Sequence, residues 1–223
     1  TLFTLLLLIT NVKVFSVDNP KYEGWCASQA PDMQWEDQIQ RIIRTQQANN
    51  PNGRQQQVAY TIPVIVHICY YQNNTAQNIS AARVQNQITV LNNDFAGTGL
   101  NSGTLPAPFA AVKANSNITF CLAKLDLNNN ILAEPGIERI NGNTRGWGNP
   151  GTATGWSRDF IDNTIKKTTI WDPNYYLNIW VVPYIGGLSS TILGYATFPG
   201  MTGLNGMPSG AGDPLNDGFV CRT

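Results

Sequence analysis

Acid–base or metal chemistry in this sequence would depend on very few side chains. The 223-residue chain contains one histidine, His67, and Cys69 lies two positions further along the same apolar run. Residues two apart in a β-strand point to the same face, so both have a common ligand within reach. Two ligands without a third or fourth do not make a zinc site, and a strand interior lacks the positive environment that activates a thiol. We therefore predict structural roles, with His67 hydrogen-bonded in the core and Cys69 packed or in a disulfide.

The acidic and aromatic side chains suggest no chemistry by spacing alone. No two carboxylates are placed as a glycosidase pair would be. Asp213, Asn216 and Asp217 stand among glycines, but their spacing does not match an EF-hand loop, and a solvated turn is preferred. Aromatic residues that could face a sugar lie mostly in strand-like runs, which favours core positions: Trp147, Trp156, Trp171, Tyr175, Tyr176 and Trp180.

Charge and length exclude several classes of protein. The 14 basic side chains balance 14 acidic ones and do not cluster, which argues against nucleic acid or an anionic membrane as the main partner. The length suits one domain with attachments.

The amino-terminal run, residues 2–9, is apolar but too short to span a bilayer. Compact residues at positions 14 and 16 would allow cleavage after Ser16, so residues 1–16 are predicted to be a signal peptide without its charged start. We expect the open reading frame to be broken at both ends. The mature protein is then secreted or extracellular, with no membrane span.

Secretion would make the four cysteines disulfide candidates, with three possible pairings among Cys26, Cys69, Cys121 and Cys221. Sequons for N-glycosylation stand at Asn73, Asn78 and Asn117.

Residues 17–57 are predicted to be a separable segment with a single amphipathic helix. Trp35, Ile39, Ile42 and Ile43 follow a helical period, and Asn and Gly residues end the helix near Ala48.

Residues 58–223 are predicted to form an α+β domain with a mixed sheet. Residues 60–71 read as a central strand apolar on both faces. A helix capped by Ser80 and closed by Gly97 follows it. Further strands are expected at residues 117–126, 136–141, 176–184, 194–198 and 217–221, with a weaker helix near 160–170.

Several runs of this region resemble the pappalysin/ulilysin (cytophagalysin-type) family of metzincin zinc endopeptidases. The most specific are Trp-Asp-Pro at 171–173 followed by Tyr-Leu-Asn-Ile-Trp-Val at 176–181, and Gly-Tyr-Ala-Thr-Phe-Pro at 194–199. The remaining runs are collinear with them: residues 62–67, 79–95, 118–123, 136–139 and 217–220. The resemblance covers about residues 58–223.

This resemblance implies the upper subdomain of a zincin, a twisted mixed sheet with packed helices. In the family, a following helix bears His-Glu-x-x-His-x-x-Gly-x-x-His, whose histidines hold zinc and whose Glu activates the metal-bound water. That helix would begin beyond Thr223, so no catalytic or metal-ligating residue is carried over. Zinc, and possible calcium sites, would be held outside this chain. The fragment alone is predicted to be inactive and to lack stoichiometric zinc.

The resemblance also implies a site for a protein or peptide substrate. The run matching the family's substrate-binding edge strand is Gly194, Tyr195, Ala196, Thr197 and Phe198, which would pair with substrate through its backbone. Cys26 in the pro-segment would fit a cysteine switch that keeps a zymogen silent. The family pattern has Gly after that cysteine, whereas Ala27 stands here, so switch and disulfide both stay open.

Two alternatives remain at the level of sequence. One is a non-catalytic secreted module that binds glycans or proteins, and the other is a degenerate peptidase relative without the zinc helix. The sequence just downstream of Thr223 would separate them. We also expect the isolated fragment to expose apolar surface and behave poorly.

Overall fold

The structure is a computed structural model that describes residues 33–49, 58–151, 156–186, 192–197 and 213–223. The predicted signal peptide, Cys26 and Phe198 lie outside these ranges. The predicted division into segments 1–16, 17–57 and 58–223 stays a prediction.

The described residues form the following helices and strands. Helices are α1 (Met33–Asn49), α2 (Ala81–Phe95), α3 (Ala107–Ala110), α4 (Arg158–Phe160) and α5 (Lys167–Thr169). Strands are β1 (Tyr60–Tyr70), β2 (Ile118–Leu122), β3 (Ile137–Asn141), β4 (Trp156–Ser157), β5 (Leu177–Val182), β6 (Ile185–Gly186), β7 (Gly194–Thr197) and β8 (Gly218–Arg222). Short 3-10 turns cover Leu100–Gly103 and Pro214–Asn216. Between α4 and α5 the residues Ile161–Lys166 are π-helical, and the whole is called here the 158–169 helix.

Six strands form one twisted sheet in the order β2-β1-β5-β8-β7, with β3 also pairing with β1. Strand β1 is parallel to β2, β3 and β5, and β5 is parallel to β8. Strand β7 is antiparallel to β8. The mixed α+β fold and the central position of β1 are thus confirmed. A second, small sheet pairs β4 with β6, which the sequence analysis did not predict.

Helix α2 covers one face of the sheet as predicted. The Ser80 hydroxyl accepts a hydrogen bond from the Arg83 N–H, and Val84 and Ile88 are buried against β1 and β2. The Asn92 side chain both donates to and accepts from the backbone of Phe120, at 3.0 and 2.7 Å. Gly97 has a φ of +72° after the helix ends, a conformation that costs glycine little.

The strand predicted at residues 117–126 ends early, at Leu122. The chain turns back because Asp126 Oδ1 accepts hydrogen bonds from the N–H groups of Asn128 and Asn130, both at 2.8 Å. Leu125 and Ile131 then form an isolated antiparallel bridge. The hydrogen bonds of this polar turn reach back into the predicted strand and end it early.

Helix α1 forms where the sequence predicts it, yet three of its apolar residues, Met33, Ile42 and Ile43, are exposed. Ile42 is 44% and Ile43 39% exposed, and Met33 is more exposed still. Across the ranges that the structure describes, no helix is long and apolar enough to cross a membrane.

Candidate functional site

Among the described strands, β7 is the last in the sheet, which is the edge position predicted for it. Its register places Gly194 opposite Cys221 and Ala196 opposite Phe219, and Leu193 accepts a hydrogen bond from the Arg222 N–H at 2.8 Å. Hydrogen-bonded pairs alternate along an antiparallel ladder. The main-chain groups of Gly194 and Ala196 are therefore directed away from β8, toward the outer side of the sheet.

Close packing of β7 on β8 depends on Gly194. A Cβ atom at this position would lie 2.4 Å from the Val220 carbonyl oxygen, closer than any real side chain approaches. The glycine therefore allows the edge strand to lie tightly against its neighbour.

The Tyr195 side chain attaches β7 to the 158–169 helix. Its side chain is 3% exposed, and its hydroxyl donates to Asp162 Oδ1 at 2.8 Å. The ring lies between two cations, with the Arg158 guanidinium 4.5 Å and Lys166 Nζ 4.9 Å from its centroid. Burial, together with the nearby Asp162 carboxylate, raises the pKa of Tyr195 far above its usual value, so the hydroxyl remains a donor.

Lys166 is the buried charge at the centre of this region. Its side chain has no solvent exposure, and Nζ donates to Asp162 Oδ1 at 2.8 Å and to the Asn216 carbonyl oxygen at 3.2 Å. Burial lowers the pKa of Lys166, while the Asp162 carboxylate acts in the opposite direction. Nζ also lies 5.4 Å from the ring of Trp180 on β5.

A second anchor joins β7 to the same lysine. The Thr197 hydroxyl donates to the Asn216 carbonyl oxygen, which also accepts from Lys166. These contacts form a ring that the backbone of β7 closes. It is called here the anchoring cluster and comprises Tyr195, Asp162, Lys166, Asn216 and Thr197. It joins the edge strand to the 158–169 helix and to the turn before β8.

The 158–169 helix supplies both apolar and charged groups to this region. Ile161 and Ile165 are fully buried in the apolar core, while Asp162 and Lys166 form an ion pair four positions apart. The four-residue spacing of Asp162 and Lys166 is present in the sequence, but spacing alone does not show that the pair is buried. Lys167 adds an outer contact, 3.3 Å from Asp213 Oδ2.

His67 has the structural role that was predicted. It is fully buried and stacked on Trp180, with Nδ1 2.7 Å from Glu138 Oε2 and Nε2 2.9 Å from Asn178 Oδ1. The Asn178 amide is oriented by the backbone of Trp171, to which it both donates and accepts at 2.9 Å. Because these two bonds identify the atom facing His67 as the amide oxygen, which can only accept, the histidine Nε2 must donate to it.

The described cysteines form no disulfide with one another. Cys69, Cys121 and Cys221 are all free, and Cys69 takes the packed alternative of the two predicted for it. Burial strongly raises the pKa of the Cys69 thiol, and the Glu138 carboxylate adds to the effect. A thiol held in this form is a poor nucleophile.

The described residues do not fit a catalytic zinc. In the ranges that the structure covers, no three side chains of His, Cys, Asp or Glu come together as a metal-binding group. The one histidine has both ring nitrogens at hydrogen-bonding distance from protein oxygens.

The other groups singled out in the sequence have structural positions. Asp213 Oδ1 accepts from the Leu215 N–H in a short turn, so the predicted turn is favoured over a calcium loop. The tryptophans proposed as possible sugar contacts are buried in the core: Trp147, Trp156, Trp171 and Trp180. Tyr175, by contrast, is 69% exposed.

A cavity of about 590 Å³ adjoins the carboxyl-terminal end of β7. It lies at the amino-terminal ends of β1, β5 and β8, and its lining includes Thr197, Asp217, Phe219, Tyr175 and Tyr176. Burial raises the pKa of Asp217, and the Lys166 charge opposes this shift.

Comparison with solved structures gives matches that include three mirolysin structures. Mature mirolysin of Tannerella forsythia in complex with a cleaved peptide is 32% identical, with a TM-score of 0.56 over 74% of this chain and 53% of that chain. A promirolysin mutant from the same organism is 27% identical, with a TM-score of 0.56 over 89% of this chain and 59% of that one. Mirolysin in complex with a small compound is 33% identical over 74% and 53%, with a TM-score of 0.54.

No family model and no curated protein matches the chain. The chain spans between half and two thirds of the length of the mirolysin chains that it matches. These neighbours are metzincins of the pappalysin/ulilysin type. The resemblance inferred from the sequence is confirmed, and the chain has the fold of the pappalysin/ulilysin-type metzincins.

Proposed function

We propose that this chain is the amino-terminal part of a zinc-dependent metalloendopeptidase that hydrolyses peptide bonds of proteins. The observation that carries the proposal is strand β7, which ends the described sheet and directs the main-chain groups of Gly194 outward. An extended peptide binds such an edge by adding a strand, with main-chain hydrogen bonds supplying affinity for any sequence. The neighbour solved with a cleaved peptide supports the same conclusion.

In this proposal, the chain's own residues bind and orient the substrate. Gly194 would face the peptide backbone, while the anchoring cluster holds its strand. Zinc, held by residues outside this chain, would supply a water of lowered pKa and polarise the scissile carbonyl. The 223-residue chain alone is therefore expected to bind no stoichiometric zinc and to cleave nothing.

The residues before β1 are proposed to be a signal peptide, 1–16, and a pro-segment, 17–57, of a secreted zymogen. Support comes from the larger share of this chain that matches the proenzyme, 89% against 74% for the mature form. Cys26 lies in this segment and is the candidate switch cysteine. Replacing Cys26 with Ser in the complete protein should then release activity without removal of the segment, and an equally silent variant would exclude the switch.

The main test is to express the complete natural reading frame beside the 223-residue chain. We expect the complete protein, once processed, to cleave a denatured protein, to lose activity with a chelator and to regain it with zinc. The 223-residue chain, under the same conditions, is the matched control and should be inactive. Cleavage by the short chain, or a complete frame that lacks His-Glu-x-x-His and is inactive, would contradict the proposal.

A further inference from the structure

We infer that the His67–Glu138 pair holds one proton between its two side chains at neutral pH, and that this proton joins β1 to β3 in the folded protein. Folding then binds a proton at the centre of the sheet, and the folded state loses stability as the pH rises. The inference does not depend on the proposed function, and neither of its tests needs peptidase activity.

The first step is the orientation of the Asn178 amide, which Trp171 and Tyr176 fix. Its Oδ1 accepts from the Trp171 N–H at 2.9 Å, and its Nδ2 donates to the carbonyl oxygens of Trp171 and Tyr176 at 2.9 and 3.2 Å. The atom that faces His67 Nε2, at 2.9 Å, is therefore the amide oxygen. An amide oxygen only accepts hydrogen bonds, so Nε2 of His67 carries a hydrogen.

The second step concerns the other ring nitrogen of His67. Nδ1 lies 2.7 Å from Glu138 Oε2. With a hydrogen on Nε2, a neutral imidazole has only a lone pair on Nδ1, and an ionised carboxylate likewise offers only lone pairs. Two acceptors this close would repel each other, so a proton must lie between them. Either an imidazolium faces a carboxylate or a neutral imidazole faces a carboxylic acid, and both forms contain the same number of protons.

The third step is that the pairing of the strands brings these atoms together. In the parallel registers, His67 lies opposite Glu138 of β3 on one side and opposite Trp180 of β5 on the other. The imidazole is fully buried and stacks on the Trp180 ring, whereas the Glu138 side chain is 32% exposed. A ring buried in this way cannot exchange a lost protein partner for bulk water, while the carboxylate gives the shared proton a route to solvent.

In the part of the chain that the structure describes, no lysine or arginine replaces this proton as the ion-pair partner of Glu138. Arg145 acts electrostatically on the neighbouring Cys69 thiol, in the direction opposite to Glu138, but Arg145 is exposed and screened by water. Burial raises the pKa of the Cys69 thiol, which therefore stays uncharged. The proton shared with His67 is then what compensates the Glu138 charge.

The 158–169 helix brings a further charge toward the pair. Lys166 Nζ lies 5.4 Å from the same Trp180 ring on which His67 stacks. Lys166 is itself paired with Asp162 at 2.8 Å. The two opposite charges of that ion pair add little net charge beside the imidazole, so they do not expel its proton.

A proton that is held only in the folded state makes stability depend on pH. In the unfolded chain, histidine loses its proton at a pH of about 6.5, whereas the folded pair still holds one. Above that pH the folded state binds more protons than the unfolded state. Stability is therefore lost as the pH rises, and the unfolding equilibrium constant increases by up to about tenfold per pH unit.

The first experiment compares urea unfolding of the complete natural protein with that of Glu138→Gln at about pH 6.5 and pH 8.5. The glutamine amide can donate an N–H to Nδ1, so it keeps the hydrogen bond without a proton that titrates. We expect the unfolding equilibrium constant of the parent to rise about 10- to 100-fold more between these pH values than that of Glu138→Gln. An equal rise in both proteins would overturn the inference.

Glu134→Gln is the matched control, because it makes the same change at another partly exposed carboxylate, which pairs with Arg139 instead. The Glu134 carboxyl titrates at acidic pH, so this variant should show the same rise as the parent between the two pH values. If Glu134→Gln lost the rise as completely as Glu138→Gln, the pH dependence would not come from the His67–Glu138 pair and the inference would be wrong.

Nuclear magnetic resonance of the parent protein locates the proton without any variant that must fold. With isotope-labelled histidine, His67 is identified by contacts of its ring protons with the stacked Trp180 ring. At neutral pH we expect Nε2 to carry a hydrogen and Nδ1 either to carry another or to accept one. A hydrogen on Nδ1 with a bare Nε2 would overturn the inference, because that tautomer bonds to a carboxylate without an extra proton.

Discussion

The face of the sheet covered by α2 contrasts with the face covered by the 158–169 helix. On the α2 face, aliphatic side chains of β1 such as Val64 and Val66 pack directly on Val84 and Ile88. On the opposite face, the apolar cluster around Trp180 encloses His67, Asn178 and Lys166, each fully or almost fully buried. The α2 face is stabilised by the apolar surface that it removes from water. The opposite face depends in addition on hydrogen-bond and ion-pair partners for its buried polar groups. The contrast predicts that single substitutions have different consequences on the two faces.

The largest expected effect is on the polar face. Asp162→Ala should lower the free energy of unfolding by about 3–5 kcal/mol, because it leaves the buried Lys166 charge without its partner. Urea denaturation of the purified protein measures this loss. The double variant Asp162→Leu with Lys166→Met should be much less destabilised than the single one, since a buried pair is replaced by apolar groups. Equal losses in single and double variants would show that the charge is not the cause.

The α2 face should respond by volume alone. Ile88→Ala should cost about 2–4 kcal/mol, through lost burial and the cavity left behind, and Ile88→Val about 0.5–1.5 kcal/mol. The same urea titration measures both variants. A loss in Ile88→Val as large as that in Ile88→Ala would contradict simple apolar packing on this face.

A smaller effect is expected where α2 is fixed to β2. Asn92→Ala removes two hydrogen bonds to the backbone of Phe120 and should cost about 1–2 kcal/mol. Asn93→Ala on the exposed side of the same helix is the matched control and should change stability little. Similar melting temperatures for the two variants would mean that the Asn92 contact contributes nothing measurable.

The smallest effect is a pH dependence at the start of α2. The Arg139 guanidinium donates to the Glu134 carboxylate and to the Asn78 side chain. The hydrogen bond from Arg139 lowers the pKa of the Glu134 carboxyl from its usual value of 4.5. A lowered folded-state pKa gives stability that is present above pH 4.5 and is lost as the pH falls through the folded-state value. Both side chains are partly exposed, so the contribution should stay below about 1 kcal/mol. Glu134→Gln should show less loss between pH 7 and pH 3 than the parent, and an identical loss would exclude this pair as its source.

Much of the fold follows from local sequence. Alternation and β-branching in residues 60–70 predict a strand apolar on both faces, and the four- and three-residue spacing after Ser80 predicts α2. The structural role of His67 also follows, because a single histidine inside an apolar strand is buried and requires hydrogen-bond partners. The short run at residues 194–198, bordered by glycines and a proline, likewise indicates an edge strand from the sequence alone, and the described strand covers Gly194–Thr197.

The anchoring cluster needed the tertiary structure. Its groups come from the 158–169 helix, from β7 and from the main chain at Asn216, and its contacts join residues up to 50 positions apart. The spacing of Ile161 and Ile165 in the sequence predicts an apolar helix face. The same spacing predicts that the charged residues near them face solvent. Only the packing of that helix over β5, β7 and β8 removes Lys166 from water and makes Asp162 its necessary partner. Periodicity reports which face is apolar, and a buried charge becomes recognisable only when its distant partners are in place.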